Sequence, residues 1–387
     1  MIKSLLDTDL YKLTMGQVFF KKYLQVPAEF VFVCRTKDVK LGSLKEKVEK
    51  CVEDISNLRY SQEELDYLKT LNLFEDDYLE YLKTFSLKKE HVHVSVVDDQ
   101  LAIRIVGPMV EASPWEIYLL ATVNELHFSE LNPSLDYVIG REKLHNKVKL
   151  IKERGKEFKF MEFGTRRRHS QAWQEHVVKT LKEEVPENLV GTSNVYLAMK
   201  HGIKPVGTMA HEYLQAHQSL APQLKKFQKT ALKVWKDVYK DKLLVALTDT
   251  ISTDSFLKDL DKELATSYTG LRWDSGSAFV FGEKAIAHYE GLGINPKDKT
   301  LFFTDSLDFP KCFAIEDAFK ERTNAVFGIG THLTNDVGVP AMNIVIKMVS
   351  CDNKPVAKIS DEPTKAICED KSFLKKLKKM FNIEYAV

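Results

Sequence analysis

Clusters of residues with catalytic and binding chemistry recur along the chain between residues 158 and 330. Seven short apolar runs stop there, each at a small group of Gly, Thr, Arg, Asp or His residues. The groups lie at 162–168, 191–194, 207–211, 248–250, 271–276, 304–308 and 327–331. Helix-like segments follow most of them, and strands that alternate with helices predict a parallel sheet. A β/α barrel builds its active site at the carboxyl ends of its strands, so these groups are the candidate site.

Glycine and arginine within these groups indicate a ligand that carries phosphate. Glycine lets a backbone approach a ligand closely, and the amides at a helix start attract anions. Such glycines stand at predicted strand ends: Gly164-Thr165, Gly191-Thr192, Gly207-Thr208, Gly328 and Gly330-Thr331. Arg166 opens a run of three arginines after a strand, and guanidinium groups bind phosphate in a bidentate manner. At least one of the three should face a ligand anion or a carboxylate, because a basic helix start opposes the helix dipole.

Carboxylates and a histidine supply the remaining chemistry. Asp249, Asp274 and Asp305 could hold sugar hydroxyls or, through water, Mg²⁺. A helix N-cap is the alternative role for an aspartate at a strand end, and for Asp308 both roles stay open. His211 begins a predicted helix, and a histidine can act as a nucleophile toward a phosphoryl group.

Composition limits the classes of function. The 387 residues carry a formal net charge of +1, so no global field favours nucleic acid or an anionic membrane. The five cysteines form no Cys-x-x-Cys pair, which argues against a disulfide framework or zinc site and for a reducing compartment. The sequence has neither the pattern of a signal peptide nor an apolar run long enough to span a membrane. We therefore expect a cytoplasmic protein.

The pattern of elements predicts an α/β fold in three regions. Residues 1–150 predict an N-terminal α+β region, and residues 151–340 predict an irregular β/α barrel of about seven units. Residues 341–387 predict a hairpin and a lysine-rich helix, which we expect to pack with the N-terminal region as one mixed domain. The individual elements are predicted at 31–33 (strand), 44–86 (amphipathic helices), 91–106 (hairpin), 115–126 (buried helix), 168–184, 252–262 and 308–320 (helices) and about 371–380 (helix).

Taken in order, the motifs resemble those of the nicotinate phosphoribosyltransferase (NAPRTase) family, which belongs to the type II phosphoribosyltransferases. The resemblance rests on 6–15, 162–167, 191–194, 207–212, 246–250, 270–276, 304–308, 327–331 and 343–347. It implies an irregular α/β barrel beside a mixed domain that is built from both termini. It also implies an ATP-coupled, ligase-type enzyme of NAD salvage. Such an enzyme converts nicotinate and 5-phosphoribosyl-1-diphosphate to nicotinate mononucleotide and diphosphate.

The resemblance also implies roles for individual residues. His211 matches the histidine that ATP phosphorylates, and it would act with Arg166 and Asp274 as the catalytic residues. Tyr11 and Phe163 match the aromatic pair on either side of the pyridine ring. In relatives that dimerise, this tyrosine comes from the partner subunit, so a homodimer stays open.

Other positions concern substrate selection and the phosphoribose. Ser193 lies where nicotinamide-using relatives carry an aspartate, and an aspartate would repel the carboxylate of nicotinate. Arg272 matches the arginine that meets this carboxylate. The remaining matches are with groups that bind phosphoribose or diphosphate: Arg166, Asp274, Asp305, Gly328 and Gly330, beside which we place Asp249 and Thr331 as further substrate-binding residues. ATP is implied as co-substrate. Mg²⁺ is implied too, and we expect the diphosphate rather than a set of protein ligands to hold it.

One departure from the family pattern and two alternative functions remain. Many members read Asp-Ser-Gly-Asp-Pro where this chain has Asp274-Ser275-Gly276-Ser277-Ala278, which puts the rate or the metal preference in doubt. A nicotinamide phosphoribosyltransferase is the second enzymatic hypothesis. A non-catalytic protein that binds phosphorylated sugars is the third hypothesis, although the intact candidate residues argue against it.

Overall fold

The computed structural model describes residues 1–132, 135–362 and 366–383. The chain forms two compact units. Unit 1 comprises Met1–Gln25, Glu29–Gly207 and Ile329–Lys347, and unit 2 comprises Val26–Ala28, Thr208–Gly328 and Met348–Val387. The predicted regions, 1–150, 151–340 and 341–387, divide the chain at other places and stay a prediction.

Helices and strands alternate over much of the chain. The α-helices are α1 Leu10–Tyr23, α2 Lys45–Ser56, α3 Gln62–Thr70, α4 Asp76–Thr84, α5 Met109–Ala112, α6 Trp115–Leu131, α7 Val138–Arg154, α8 Gln171–Glu184, α9 Val195–His201, α10 His211–Leu220, α11 Phe227–Tyr239, α12 Thr253–Asp259, α13 Lys262–Ser267, α14 Ala278–Gly291, α15 Phe309–Phe319, α16 Thr331–Thr334 and α17 Lys371–Met380. The strands are β1 Pro27–Cys34, β2 Val92–Val97, β3 Gln100–Pro108, β4 Phe160–Glu162, β5 Leu189–Thr192, β6 Val245–Leu247, β7 Gly270–Trp273, β8 Thr300–Phe303, β9 Asn324–Ile329, β10 Ile344–Cys351 and β11 Lys354–Pro355.

Unit 1 contains the hairpin that the alternating sequence at 91–106 predicts. β2 and β3 pair antiparallel, with Val92 opposite Ile105. The Asp98-Asp99 turn has positive φ at both residues, a conformation that aspartate tolerates and that fits the twist of a hairpin. The buried helix predicted at 115–126 is confirmed as α6, most of whose side chains are buried.

Two parallel strands of unit 1 carry the first two candidate groups at their ends. β4 and β5 are neighbours, and Glu162 lies opposite Thr192. The segment before the third group lies beside β5, but it forms only an isolated parallel bridge between Thr192 and Pro205. At this bridge the Thr192 amide donates to the Lys204 carbonyl at 3.2 Å, and the Val206 amide donates to the Thr192 carbonyl at 2.9 Å.

Unit 2 places the next candidate groups at the ends of a parallel ladder. Its strands follow the order β6, β7, β8, β9. Leu247 lies opposite Arg272, and Trp273 lies opposite Phe303. Helices α12 and α13, then α14, then α15 connect successive strands, as parallel pairing requires. Because the strands are in register, the residues that follow them emerge side by side.

The helix that begins at His211 is fixed by aromatic packing within unit 2. Tyr213 of α10 packs edge-on against Trp235 of α11, and both side chains are fully buried. The Tyr213 hydroxyl donates to the carbonyl of Ala231, and the Trp235 indole donates to the carbonyl of Leu243. Buried polar atoms that find partners rigidify a core, so the start of α10 has a defined position.

The observed elements confirm a mixed α/β fold but not every detail of the prediction. Strands precede six of the seven candidate groups, and the group at 207–211 follows only the isolated bridge. The seven-unit barrel therefore stays a proposal. The hairpin of β10 and β11 and the helix α17 confirm the elements predicted after residue 340. Among the described residues, no helix has the length and apolarity needed to cross a bilayer.

Candidate active site

His211 is the centre of a buried polar cluster in unit 2. Its Nε2 atom lies 2.8 Å from Asp249 Oδ1, and its Nδ1 atom lies 3.8 Å from Asp274 Oδ2. The two aspartates follow β6 and β7, which are parallel neighbours, and His211 is the first residue of α10. The predicted rim residues His211, Asp249 and Asp274 are thus brought together.

Asp249 has a partner for each carboxylate oxygen. While Oδ1 faces His211, Oδ2 accepts a hydrogen bond from Ser275 at 2.5 Å and contacts the ammonium of Lys358 at 3.2 Å. The Ser275 hydroxyl is fixed in turn by Ser360 at 2.7 Å. Burial alone would raise the pKa of Asp249, but the charges of Lys358 and His211 outweigh it and hold this pKa well below its usual range.

Asp274 and Arg272 form a second pair in the same cluster. Arg272 Nη2 lies 3.2 Å from Asp274 Oδ1, which also accepts a hydrogen bond from Thr304 at 2.7 Å. Arg272 Nη1 donates to the carbonyl of Met209. Burial opposes ionisation of Asp274, but the Arg272 guanidinium outweighs it and keeps the pKa of that carboxyl below its usual range.

The proton on His211 has a defined place. Burial, followed by the charge of Lys358, lowers the pKa of His211 to about 4, although Asp249 and Asp274 oppose the shift. The imidazole is therefore neutral at neutral pH. An ionised carboxylate can only accept a hydrogen bond, so the Nε2 atom that faces Asp249 must carry the proton. Nδ1 consequently presents its lone pair toward Asp274.

The geometry does not fit a magnesium ion held by protein ligands alone. Ligand atoms of His211, Asp249 and Asp274 lie within 4.8 Å of one another. However, Asp249 already meets His211, Ser275 and Lys358, and Oδ1 of Asp274 meets Arg272 and Thr304. Mg²⁺ also prefers oxygen ligands in a near-octahedral arrangement. We therefore assign no metal ligand in this cluster.

Unit 1 holds a separate network around the three consecutive arginines. Arg168 and Asp7 form a bidentate ion pair at 2.6 and 2.7 Å, and both side chains are fully buried. Arg167 donates through Nε to the carbonyl of Ile344 at 2.9 Å. Arg166 keeps 35% of its side chain exposed. The prediction that one arginine faces a carboxylate is confirmed by Arg168, and Arg166 has the exposure that a ligand contact needs.

Further charges surround Arg166. Glu116 is buried, with Lys12 at 2.7 Å and Arg166 at 3.6 Å. Burial would raise the pKa of Glu116, but Lys12, Lys347 and Arg166 outweigh it and lower that pKa. Burial and Arg166 also lower the pKa of Arg35. Lys12, Lys347 and Arg166 act on Glu116, Arg35 lies near Arg166, and Asp9 is a second carboxyl group that the Arg166 charge reaches. The basic groups outnumber the two acids, and this excess of positive charge favours an anionic ligand.

Ser193 lies beside a carboxyl group that the sequence does not reveal. The Ser193 hydroxyl donates to Asp9 Oδ1 at 2.6 Å, and both residues are buried. Burial raises the pKa of Asp9, against the lowering effect of its hydrogen bonds. Nearby in the same unit, burial raises the pKa of Glu162 to about 7, although Thr192 donates to it at 2.5 Å.

The remaining predicted residues lie at element ends, as expected. Tyr11 and Phe163 are half-buried, which leaves part of each ring accessible. Asp305 follows β8 and is also half-buried. A side chain at Gly330 would crowd the Phe163 carbonyl. The other positions are Gly328 within β9 and Thr331 at the start of α16. Each of these assignments stays a prediction.

Asp308 and Ser277 both cap helices. Asp308 accepts a hydrogen bond from the Lys311 amide at 2.9 Å, and this contact shows the capping role that the sequence left open. Ser277, which departs from the family pattern, caps α14 by accepting from the Val280 amide at 3.4 Å. An aspartate could cap the same helix, so the departure preserves this local structure.

Sequence reasoning missed several members of both clusters. Lys358 of unit 2 stands in a segment predicted only as a hairpin strand, and Ser360 follows that segment directly. Asp7 and Asp9 belong to the N-terminal motif, yet nothing in that motif indicates their partners in unit 1. Lys358 is buried between Ala357 and Ile359, which are also buried. The sequence therefore has no alternation of apolar and polar residues there that would distinguish a buried lysine from an exposed one.

Comparisons with known proteins show the family of this chain. The model of the nicotinate phosphoribosyltransferase (NAPRTase) family matches residues 158–385, and the model of the NAPRTase N-terminal domain matches residues 6–124. The chain belongs to the NAPRTase family. The predicted resemblance is thereby confirmed.

Individual relatives agree over nearly the full length. A nicotinate phosphoribosyltransferase of Chromobacterium violaceum is 45% identical, over 99% of this chain and 97% of the relative. One from Herminiimonas arsenicoxydans is 42% identical, over 98% of each chain. The crystal structure of nicotinate phosphoribosyltransferase from Vibrio cholerae superposes with a TM-score of 0.95 at 36% identity, covering 100% of this chain and 94% of that one. The mixed α/β fold is therefore that of solved family members.

The buried pair of Asp7 and Arg168 yields a prediction about stability. Asp7→Ala leaves a guanidinium unpaired in the interior, so the free energy of unfolding should fall by about 3–5 kcal/mol in urea titrations. The double variant Asp7→Leu/Arg168→Met removes both charges and should lose less than the single variant. A single variant that costs under about 1 kcal/mol would contradict the importance assigned to this pair.

The buried imidazole of His211 yields a prediction about pH. Its pKa lies at about 4 in the folded chain and at 6.5 ordinarily. As the pH falls from 6.5 toward 4, the unfolded chain takes up a proton that the folded chain refuses, so this histidine's contribution to stability is full above 6.5 and declines below it. NMR titration of the imidazole, assigned with His211→Gln, should give a midpoint near 4. A midpoint near 6.5 is the contrary result.

Proposed function

We propose that this chain transfers phosphoribose from 5-phosphoribosyl-1-diphosphate to nicotinate and couples the transfer to ATP hydrolysis. Membership of the NAPRTase family and the names of the curated relatives support the transfer reaction. The observation that carries the coupling is a neutral His211 whose Nε2–H is held by Asp249 while Nδ1 presents a lone pair.

The transfer step needs alignment more than proton chemistry. The pyridine nitrogen of nicotinate attacks the anomeric carbon, the bond from that carbon to diphosphate breaks, and diphosphate departs with the electron pair. Nicotinate is already a nucleophile, so no strong general base is required. The protein must align ring and sugar and stabilise the negative charge of the departing group. Tyr11 and Phe163 would flank the ring.

The positive cluster of unit 1 supports the binding of diphosphate or ATP phosphates. Lys12, Lys347 and Arg166 act on the buried carboxylate of Glu116, and Arg35 lies near Arg166. We propose that Arg166, the arginine with the exposed side chain, contacts a phosphate group directly. Mg²⁺ would arrive with the diphosphate and neutralise part of its charge, because the histidine cluster does not fit a protein-held ion.

The coupling step would form a phosphohistidine. The lone pair on Nδ1 attacks the γ-phosphorus of ATP, the bond to the ADP oxygen breaks, and ADP leaves. The phosphorylated imidazole carries positive charge, and the Asp249 carboxylate opposite Nε2–H stabilises it. Hydrolysis by water later returns neutral His211 and releases phosphate.

Finer features of the proposal follow from the family likeness. We propose that the strand and helix units complete an irregular barrel beside a mixed domain from both termini. All five cysteines are free thiols, which supports a reducing, cytoplasmic location. A homodimer is part of the proposal only through the likeness to relatives in which Tyr11 has a counterpart from a partner subunit.

Two other functions compete with this proposal. The carboxyl group of Asp9 beside Ser193 favours a nicotinamide-using enzyme, if it is ionised when substrate is bound. An assay with nicotinate or nicotinamide, phosphoribosyl diphosphate, ATP and Mg²⁺ separates the hypotheses. Nicotinate should be the better substrate. Preference for the amide would favour the second function, and no nucleotide from either would favour a non-catalytic protein.

Replacement of the proposed nucleophile tests the coupling. In His211→Ala, γ-labelled ATP should no longer label the enzyme with acid-labile phosphate, and ATP should no longer stimulate nucleotide synthesis. Part of the ATP-independent transfer of phosphoribose should persist. His93→Ala, in an exposed position on β2, is the matched control and should behave as the unmodified chain. If ATP still drove synthesis in His211→Ala, the role of this histidine would be wrong.

Ser193 provides a test of selectivity. Ser193→Asp adds a second carboxyl group beside Asp9, so kcat/KM for nicotinate relative to nicotinamide should fall at least about tenfold through like-charge repulsion. Ser193→Ala removes the hydroxyl without adding charge and should change this ratio much less. Equal ratios for the two variants would mean that charge at this position does not select the substrate.

A further inference from the structure

Lys358 is a buried cation at the back of the histidine cluster in unit 2. Only 5% of the residue is exposed, and its ammonium lies 3.2 Å from Asp249 Oδ2. A buried ammonium is costly unless a carboxylate faces it closely. The pair therefore constrains both partners, and Asp249 is the residue that holds His211.

The backbone around Lys358 is fixed on both sides. Lys358 and Ile367 exchange two backbone hydrogen bonds, at 3.0 and 2.9 Å. The next amide, of Ile359, donates to the carbonyl of Thr250 at 2.9 Å, directly after Asp249. The ammonium is thus carried by a segment that is tied to the loop it acts on.

The contacts of Asp249 divide between its two oxygens. Oδ1 faces Nε2 of His211, while Oδ2 faces Lys358 and Ser275. A carboxylate that is held at one oxygen cannot rotate freely, so the direction in which it accepts the Nε2–H is set. Within the described part of the chain, the ammonium of Lys358 pairs with Asp249 and not with His211. Its effect on the imidazole therefore passes through Asp249 and through its charge.

We propose that Lys358 is a positioning residue for phosphoryl transfer to His211. It holds Asp249 as a carboxylate whose Oδ1 binds Nε2–H, so that Nδ1 stays unprotonated and aimed at the phosphoryl donor. This inference rests on the proposed coupling through a phosphohistidine. It assigns Lys358 no contact with substrate.

The charge of Lys358 has a second consequence. The groups that face His211 are Asp249, Asp274 and Lys358, and Arg272 faces Asp274 from its other side. Of these, the two aspartates favour the protonated imidazole, and Lys358 disfavours it. Loss of Lys358 should therefore move the acid limb of phosphoenzyme formation to higher pH, because protonated His211 has no lone pair to offer.

The test replaces Lys358 in the full chain. In Lys358→Met, the rate of phosphoenzyme formation at saturating γ-labelled ATP should fall at least about tenfold, as when a partner that orients a reactive group is lost. ATP-independent nucleotide synthesis should fall much less, and the acid limb should move to higher pH. Lys358→Arg should restore part of the rate. Lys354→Met, an exposed lysine paired with Asp352, is the matched control and should not change it.

A double-mutant cycle shows whether Lys358 acts through Asp249. In an Asp249→Asn background, Lys358→Met should cause little further loss, because the oxygen that Lys358 holds no longer carries charge. A full additional loss would overturn the proposal. So would a loss seen only in KM for ATP, which would mean that Lys358 binds phosphate.

Two outcomes keep this inference separate from the proposed function. If the unmodified chain forms neither phosphoenzyme nor nucleotide, the proposed function fails. If it forms both and Lys358→Met leaves the phosphoenzyme rate intact, only the role of Lys358 fails. Should Lys358→Met not fold, the comparison of Asp249→Asn with Asp249→Asn/Lys358→Met still decides, because the double variant buries neither charge. Equal rates of phosphoenzyme formation in these two variants support the proposal, and unequal rates overturn it.

Discussion

The chemistry of unit 2 depends on the buried carboxylate of Asp249. It accepts a hydrogen bond from Nε2–H of His211 on one oxygen and meets Lys358 and Ser275 on the other. A buried charge survives only with such complete satisfaction, since each unmet lone pair would cost free energy. Burial and the charge of Lys358 keep the neighbouring imidazole neutral, and the hydrogen bond to Asp249 fixes its tautomer. The nucleophilic role that we propose for His211 depends on such a partner, an acceptor that is held in place and stays ionised.

In unit 1 the buried charge that needs a partner is a cation, the guanidinium of Arg168. Arg168 has no solvent exposure, and its bidentate contact with Asp7 ties the N-terminal segment to the end of β4. Asn194 donates to the same carboxylate at 2.7 Å, and this places the end of β5 in the network as well. The three consecutive arginines thus have different environments. Arg168 is structural, while Arg166 keeps part of its side chain exposed and is the member that we propose to bind an anion.

The sequence predicts the candidate residues far better than it predicts their partners. Groups at strand ends are local features, so His211, Asp249 and Asp274 could be found from apolar runs and the residues that follow them. Arg168 and Asp7, by contrast, lie 161 residues apart, and no periodicity connects them. Within the described residues, the predicted strand before the group at 207–211 forms only an isolated bridge, a detail that the apolar pattern around it conceals.

Selectivity between nicotinate and nicotinamide cannot rest on the identity of residue 193 alone. Ser193 lacks the aspartate of amide-using relatives, yet Asp9 brings a carboxyl group within 2.6 Å of its hydroxyl. The carboxylate of a bound nicotinate would experience the electrostatic field of all nearby charges. Burial raises the pKa of Asp9 and so favours its neutral form, which would not repel that carboxylate. A second carboxyl group would disturb this balance, because two adjacent acids cannot both stay neutral or both ionise without cost. In the proposed reaction, the serine would contribute to selectivity by adding no further acid beside Asp9.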